Sequence, residues 1–172
     1  MARVLSIVAL LAAACASVSK QVPSGVARIA ALEDARGGAS ELAAFAHDAD
    51  PLVRARATTA LGRLWFPEEG AEVTRALLGA LGDSDANVRA AAAFALGVRG
   101  DPSAADKLVF VALDYHEADN DALVRARALE AATKLDRPEL RERLLDGLLD
   151  SDARVRLEAA QGTSRWPLTE TN

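Results

Sequence analysis

The chain has 172 residues, of which 51% are hydrophobic and 4% aromatic, and its formal net charge is -5 at pH 7. The length and apolar content suffice for one domain with a continuous core. The acidic balance disfavours nucleic acid and other acidic partners, because a nucleic-acid interface needs a basic face. A single cysteine excludes an intramolecular disulfide and a cysteine-based metal site.

The first residues have the pattern of a targeting segment. Residues 1–3 form a short, positively charged segment, residues 4–11 are apolar, and three alanines directly precede Cys15. The segment ending at Cys15 resembles the lipobox of bacterial lipoproteins, with alanine where that family usually has leucine. The resemblance implies a signal peptide at 1–14, lipid attachment to Cys15, and a bacterial envelope protein anchored to a membrane that faces the periplasm. Buried acyl chains contribute about 0.8 kcal/mol per methylene to such anchoring.

Two other interpretations of this segment stay open. Cleavage after Ala14 or Ala16 would release a soluble exported protein. Without cleavage, the uncharged stretch from Val4 to Ser19 could anchor the chain, although it is shorter than the roughly 20 residues that a spanning helix needs. After cleavage, residues 15–23 are expected to form a tether.

A helix is predicted next, over residues 24–37. It ends at the pair Gly37-Gly38, since glycine commonly terminates helices. Because the helix directly precedes a series of repeats, we expect it to cap them.

One ten-residue motif then occurs four times. It reads DADPLVRARA at 48–57, DSDANVRAAA at 83–92, DNDALVRARA at 119–128 and DSDARVRLEA at 150–159. Its valines, Val53, Val88, Val124 and Val155, are 35, 36 and 31 residues apart. This period is typical of two-helix units that must stack to bury their apolar faces.

Each unit is predicted to contain two helices. The second aspartate of each motif is an expected N-cap, and the second helix follows it with its valine on the buried side. The first helix of each unit precedes the motif and is rich in leucine on one side, as at Leu140, Leu144, Leu145 and Leu148. Trp65 and Phe66 are expected to plug the end of the first unit. The unit boundaries are 38–66, 67–101, 102–136 and 137–166, and a tail follows at 167–172.

The repeated pattern Asp-x-Asp-x-x-Val-Arg-x-x-Ala, extended by Ala-Leu-Gly at 60–62 and 95–97, resembles bacterial HEAT repeats of the PBS-lyase HEAT-like group. The resemblance implies an all-α, right-handed α–α superhelix, a HEAT-like solenoid of about four helical hairpins plus an N-terminal capping helix. Units three and four depart from the pattern, with Thr133 and Ser164 where glycine would stand.

The resemblance also implies a role for the repeated charges, which we call the Asp–Arg ladder. In such repeats the arginine after the valine commonly bonds loop or aspartate groups of its own or a neighbouring unit, which holds the units in register. A row of catalytic carboxylates is excluded because the pattern recurs in every unit without converging on one place. The ladder residues are Asp48, Asp50, Arg54, Asp83, Asp85, Arg89, Asp119, Asp121, Arg125, Asp150, Asp152 and Arg156.

Three enzyme classes with HEAT-like folds fit the sequence poorly. A di-iron hydroxylase needs several His-Glu pairs, whereas this chain has one, His116-Glu117, and its other histidine, His47, lies out of register. The second class, a bilin lyase, is supported only by the repeat pattern, and no other residue of the sequence points to it. DNA glycosylases of this shape need a basic concave face. We therefore predict no catalytic residue, no cofactor and no metal.

The remaining candidate is the outer face of the second helices, which the resemblance places on the concave side of the solenoid. A helical wheel puts a nearly uncharged surface there, and the candidate partner-binding residues are Thr59, Phe94, Leu129 and Leu157. This surface could hold an extended peptide or a partner helix. Alternatively, these side chains pack between neighbouring second helices.

The sequence thus favours a non-enzymatic scaffold or adaptor that binds a protein or peptide, contacts no nucleic acid, and meets the membrane only through its N-terminal lipid. Two alternatives stay open. The chain could be the HEAT-repeat arm of a larger exported cyclophilin-type prolyl isomerase, because the stretch at 31–36 before the repeats resembles the leading part of such proteins. It could also be a PBS-lyase-like enzyme subunit.

Overall fold

The structure, a computed structural model, describes residues 24–114, 118–135, 137 and 140–165. Within these ranges the chain forms nine α-helices, two short 3-10 helices and no β-strand. The predicted all-α architecture is confirmed. The predicted signal peptide, Cys15, the tether, the pair His116-Glu117 and the tail at 167–172 lie outside the described residues.

One leading helix, α1 (Ser24–Ala35), precedes four helix pairs, which we call units 1 to 4. The 3-10 turns Pro102–Ala104 and Gly147–Leu149 adjoin unit 3 and unit 4 helices. In chain order the pairs are α2 (Ala39–Phe45) with α3 (Pro51–Arg63), α4 (Gly70–Ala80) with α5 (Ala86–Arg99), α6 (Ala105–Leu113) with α7 (Ala122–Ala132), and α8 (Arg141–Asp146) with α9 (Ala153–Arg165).

The second helices α3, α5, α7 and α9 form the spine of the stack, because each packs against the next. Their repeated valines are buried, and one apolar cluster runs from Ile29 in α1 to Ala159 in α9. Each unit therefore buries its apolar face partly against its neighbours, as a solenoid requires. The result is a helical repeat superhelix.

Helix α1 closes the N-terminal side of unit 1. It packs on α3 and α2, and it places Ile29 and Leu32 in the core. The Arg28 and Glu41 side chains form an ion pair at 2.7 Å, and Arg56 pairs with Glu33. These contacts tie α1 to both helices of unit 1.

Two positions in the left-handed region, separated by one residue, end α1 and begin α2. Arg36 has φ 52°, and the Gly37 amide donates to the Leu32 carbonyl at 3.2 Å. Gly38 has φ 84°, and a β-carbon there would lie 2.7 Å from Leu32 Cδ2. Gly38 is thus required both by its backbone conformation and by its contact with α1.

Some residues expected in the core are exposed. The prediction for Trp65 is wrong, because its side chain is 80% exposed and Phe66 alone fills the end of unit 1. In the predicted stripe of α8, Leu140 and Leu144 are buried, whereas Leu145 and Leu148 are exposed. Leu148 corresponds to Leu81 of unit 2, which lies in the core.

Small residues set the distance between neighbouring second helices. A β-carbon on Gly62 would lie 2.4 Å from the Ala95 β-carbon, and one on Gly97 would lie 2.8 Å from that of Ala131. At the third crossing the glycine is on the other helix, where a β-carbon on Gly162 would lie 2.3 Å from Thr133 Cγ2. Each crossing therefore has room for only one of its two side chains.

Candidate functional site

The two aspartates of each motif organise the turn between the helices of a unit. Oδ1 of the first aspartate accepts from the amide of the second, at 2.8 Å in all four units. The second aspartate then caps the following helix: Asp50, Asp85, Asp121 and Asp152 each accept from the amide two residues on at 2.8 Å. An N-cap of this kind satisfies an amide that has no partner within the helix.

Each ladder arginine joins its own turn to the next unit. Arg54 donates from Nε and Nη2 to the carboxylate of Asp83, both at 2.8 Å, and from Nη1 to the Asp48 and Ala49 carbonyls. Arg125 contacts Asp150 in the same way, at 2.9 Å for both bonds. Arg89 repeats the arrangement with Asp119. Two parallel bonds fix the angle as well as the distance between the two groups.

The ladder has an unpaired group at each end. Asp48 binds the Asp50 amide, and no described arginine pairs with its carboxylate. Arg156 donates from Nη1 to the Asp150 and Ser151 carbonyls, at 2.8 and 2.9 Å, but contacts no described carboxylate. Of the predicted ladder residues, the structure brings three Asp–Arg pairs together and leaves these two apart.

The paired arginines keep the ladder carboxylates ionised. The hydrogen bonds from Arg54 lower the pKa of Asp83. For Asp119 and Asp150, burial by itself raises the pKa, but hydrogen bonds from Arg89, Arg125 and the turn amides outweigh it and lower the pKa. The pairs are partly buried in fixed positions between units, which favours a structural role for them.

A row of exposed residues runs along the four second helices. They occupy the positions one before, and two, six and ten after, each repeated valine, and all except Ala126 are at least partly exposed. We call this row the second-helix face. It comprises Leu52, Ala55, Thr59 and Arg63 on α3, Asn87, Ala90, Phe94 and Val98 on α5, Leu123, Ala126 and Glu130 on α7 with Lys134 in the turn after it, and Arg154, Leu157, Gln161 and Arg165 on α9.

Three of the four candidate partner-binding residues lie on this face. Thr59 and Phe94 are half-buried, and Leu157 is 54% exposed. The placement of Leu129 on the exposed surface is wrong, because its side chain is fully buried. Leu129 stands five residues after Val124, and this position points towards the next unit, as it does at Thr58 and Ala93.

Sequence reasoning missed three exposed apolar residues of the face. Leu52 is 58% exposed, and Leu123 and Val98 are also exposed. Leu52 and Leu123 directly precede a buried valine, so the motif itself could have revealed them. The wheel missed them because its exposed side was centred too far towards the next unit, by about half of the 100° between successive residues.

Phe94 lies near the middle of the second-helix face. The guanidinium carbon of Arg63 lies 5.7 Å from the centre of its ring, within the range of a cation–π contact. Small residues such as Ala55 and Ala90 lie towards the N-terminal ends of the same helices. Phe94 is half-buried, so part of its side chain remains accessible to a partner.

Two depressions separate neighbouring second helices. One, of about 360 Å³, lies between α3 and α5 and is lined by Asp50, Pro51, Leu52, Ala55, Asp85 and Asn87. The other, of about 190 Å³, lies between α7 and α9 and includes Leu123, Leu157 and Glu158. Both are open grooves, and each has three apolar residues in its lining.

The two halves of the face differ in charge. In units 1 and 2 its only charged residue is Arg63, whereas units 3 and 4 contribute Glu130, Lys134, Arg154 and Arg165. Glu130 accepts from Arg127 and Lys134 at 2.7 Å. The nearly uncharged surface predicted from the sequence therefore exists only in the first half. Burial and the Glu130 carboxylate also raise the pKa of Glu158 beside this face.

The described residues contain no group of three or more His, Cys, Asp or Glu side chains able to hold a metal ion. Among the same residues, no helix is both long and apolar enough to span a bilayer.

Two comparisons connect this geometry to known proteins. Residues 39–116 match the family described as HEAT repeats. The chain is also similar to the X-ray structure of YibA from E. coli, with 26% identity and a TM-score of 0.65 over 80% of this chain. The fold is a HEAT-like solenoid. The chain spans about half of YibA, 51% of its length, and no curated protein matches the sequence.

The match to HEAT repeats covers units 1 and 2 and the whole of α6, and the superposition on YibA extends over more of the HEAT-like solenoid. Proteins of this fold are typically scaffolds without catalytic residues, and HEAT repeats commonly mediate contacts between proteins.

Proposed function

We propose that this chain is a non-enzymatic scaffold or adaptor of the bacterial cell envelope, which binds a protein or peptide segment on its second-helix face. The observation that carries the proposal is the row of exposed apolar side chains on successive second helices, with Phe94 at its centre. Exposed apolar groups that line up on one surface indicate an interaction site more strongly than scattered ones do.

The division of charge along the face suggests the form of the ligand. A segment lying across the second helices would place apolar side chains over Phe94 and Val98, and polar or charged ones over units 3 and 4. Arg165, whose Nη1 donates to the Thr133 hydroxyl and which contacts no described carboxylate, favours an acidic group at that end, whereas Arg154 is already paired with Asp152. We therefore propose an extended peptide or a helix with an apolar part followed by an acidic part.

Photocrosslinking in intact cells tests this site. A photoreactive phenylalanine analogue at position 94 should crosslink to one dominant partner, which mass spectrometry then identifies. The full-length purified pair should bind in solution, and Phe94→Glu should weaken binding because it puts a carboxylate at the apolar centre of the face. Circular dichroism must show that the variant stays folded.

Phe110 offers a matched control. It is a half-buried aromatic residue on the first helix α6, with Lys107 Nζ 4.5 Å from its ring centre. Phe110→Glu should leave binding unchanged. Equal loss of binding from both variants, or full binding by Phe94→Glu, would place the partner elsewhere.

The envelope location is proposed from the lipobox-like segment alone, and a separate test applies to it. Labelled palmitate should enter the full-length protein expressed in bacterial cells, and it should be lost in Cys15→Ser. The labelled protein should also sediment with membranes. Label-free protein in the soluble fraction would contradict the lipid anchor and leave the binding site untouched.

A further inference from the structure

The depression between α3 and α5 lies inside the stack, at the N-terminal ends of these two helices. Both of its walls belong to units 1 and 2, so its opening does not depend on where the stack begins or ends. Its volume is about 360 Å³, and three of its residues also belong to the second-helix face. We call it the α3–α5 groove, and its lining consists of Asp50, Pro51, Leu52, Ala55, Asp85 and Asn87.

Three apolar residues and two carboxylates share this groove. Pro51 and Leu52 are exposed, and Ala55 is half-buried. Asp50 and Asp85 are half-buried helix caps, and each accepts a turn amide at Oδ1. Among the described residues, no side chain donates to Oδ2 of either aspartate, and none of the lining residues is a cation. An aliphatic stem that ends in a positive charge matches both parts of this surface.

The neighbouring ladder arginine is fully engaged elsewhere. The hydrogen bond with Asp83 and, more weakly, the charge of Asp85 raise the pKa of Arg54, so Arg54 lies close to the groove. Its Nε and Nη2 donate to Asp83, however, and its Nη1 donates to the carbonyls of Asp48 and Ala49. All three guanidinium nitrogens are therefore occupied, and Arg54 leaves the groove carboxylates open.

The groove between α7 and α9 shows how a cation fits at the equivalent place. Its lining includes Arg154, which directly precedes the repeated valine, as Asn87 does in unit 2. Arg154 donates from Nε and Nη2 to the two carboxylate oxygens of the cap Asp152, both at 3.0 Å. The hydrogen bonds and charge of Asp152 and, more weakly, the charge of Asp121 on α7 raise the pKa of Arg154. Unit 4 thus supplies its own cation, whereas unit 2 has a neutral amide there.

The α3–α5 groove and Phe94 lie within reach of one ligand. Phe94 follows Asp85 by nine residues on the same helix. At 1.5 Å per residue, the two positions are about 13 Å apart along the helix axis. An extended chain covers this distance with about four residues. One segment of a partner can therefore contact both places.

We propose that the partner of the second-helix face inserts an arginine or lysine side chain into the α3–α5 groove. Its stem would lie along Pro51 and Leu52, and its charged end would donate to the open oxygens of Asp50 and Asp85. An apolar side chain about four residues away in the partner would lie on Phe94. The inference rests on the proposed function and names one anchor of its ligand. The acidic part of that ligand lies over units 3 and 4, away from this groove.

Fluorescence anisotropy with short synthetic peptides tests the anchor. The first peptide carries a leucine and an arginine four positions apart in a background of alanine and serine. In the second peptide the arginine is replaced by citrulline, which has nearly the same shape and no charge. With the full-length protein, the arginine peptide should bind saturably, and the citrulline peptide should bind roughly 10-fold more weakly because it lacks the charge-assisted hydrogen bonds.

Four variants of the protein show whether the arginine uses the groove. Asp50→Asn and Asp85→Asn each remove one charge but keep the helix cap, because asparagine caps as well as aspartate. Each should weaken the arginine peptide and leave the citrulline peptide unchanged. Asn87→Arg should also weaken the arginine peptide, since it supplies a cation as unit 4 does. Asp152→Asn is the matched control and should have no effect, because that cap already holds Arg154.

The inference is overturned if the arginine peptide does not bind, if the two peptides bind equally, or if Asp50→Asn and Asp85→Asn leave binding unchanged. It is also overturned if Lys20→Gln tightens binding, because the chain's own Lys20 would then be the occupant. Phe94→Glu should weaken both peptides equally. Equal binding of the peptides with a loss in Phe94→Glu would refute the arginine anchor and retain the second-helix face, which photocrosslinking at position 94 tests without either peptide.

Discussion

Two neighbouring helix crossings, α5 with α7 and α7 with α9, are equally tight but differ in which helix carries the glycine. Where α5 crosses α7, Gly97 faces Ala131, so the residue without a side chain is on the earlier helix. Where α7 crosses α9, Thr133 faces Gly162, so that residue is on the later helix. The crossing of α3 with α5, where Gly62 faces Ala95, follows the first arrangement.

This difference shows that the repeat preserves the volume at a crossing and not the residue at one position. Thr133 departs from the glycine of units 1 and 2, and Gly162 departs from the alanine found at its position in units 2 and 3. The two departures compensate for each other, because a larger group on one helix meets a smaller one on its neighbour. Close packing leaves no other solution without moving a helix.

The largest effect is expected from overfilling a crossing. Gly62→Val should lower the free energy of unfolding by about 3 kcal/mol, because its side chain would collide with the Cα and Cβ atoms of Ala95. Urea unfolding measures the change. As a control, Gly79→Ala on α4, with no atom within 4 Å of the added carbon, should raise stability by about 0.5–1 kcal/mol. Equal effects of both changes would refute the tight crossing.

The next effect concerns the ladder, which is the same on both kinds of crossing. Arg89→Ala and Arg125→Ala should each cost about 2 kcal/mol, since each removes a charge-assisted pair and leaves an aspartate partly buried. Chemical denaturation of the two variants tests whether the interfaces are equivalent. A much smaller cost for Arg125→Ala would mean that the crossing of α7 with α9 is the looser one.

Arg156→Ala is the matched control for these variants. It lacks a described carboxylate partner, so its removal should leave the unfolding midpoint nearly unchanged. A loss as large as that of Arg89→Ala would show that the carbonyl contacts, and not the ion pairs, are responsible for the stability.

A smaller effect should reveal the compensation between Thr133 and Gly162 directly. Gly162→Ala should cost about 1 kcal/mol, because the new carbon meets the Thr133 methyl group, which can move only slightly. Adding Thr133→Ala should recover much of that loss. A double-mutant cycle measures the coupling energy between the two positions. If the effects of the two changes simply add, the coupling energy is zero and the compensation is contradicted.

The smallest effect is the acid dependence of the ladder. The pKa values of Asp119 and Asp150 are lowered in the folded protein, so the unfolded chain takes up these protons first as the pH falls. The resulting stability is present above about pH 4 and is lost as the pH falls through the lowered pKa values. The free energy of unfolding, measured from pH 6 to pH 3, should fall less steeply with pH for Arg125→Ala than for the unaltered protein. An unchanged slope would contradict the pairing of Arg125 with Asp150.

Much of the fold follows from the sequence because the repeat is local in its logic. The four motifs place a capping aspartate, a buried valine and an arginine at fixed offsets, and each offset corresponds to a fixed direction around a helix. Helix ends then follow from Pro51, from Gly37-Gly38 and from the aspartates, so the nine described helices lie where the pattern predicts them within a few residues.

The candidate site was harder to predict, as Leu129 and Leu52 show. A wheel drawn for one helix separates the core side from its opposite, but it does not show which remaining side the next unit covers. Leu129 is buried by that neighbour, whereas Leu52 remains exposed beside the same kind of valine. The prediction that Trp65 is buried was wrong for a related reason, because Phe66 alone occupies the space at the end of unit 1.

The sequence by itself determined the helical repeat, the caps and the residues that could form a ladder, because these depend on spacing along one chain. The tertiary structure decided which carboxylate each arginine meets, which side of a second helix stays open, and that Thr133 and Gly162 share one crossing. These depend on the rotation and distance between units, which close packing sets jointly for all of them.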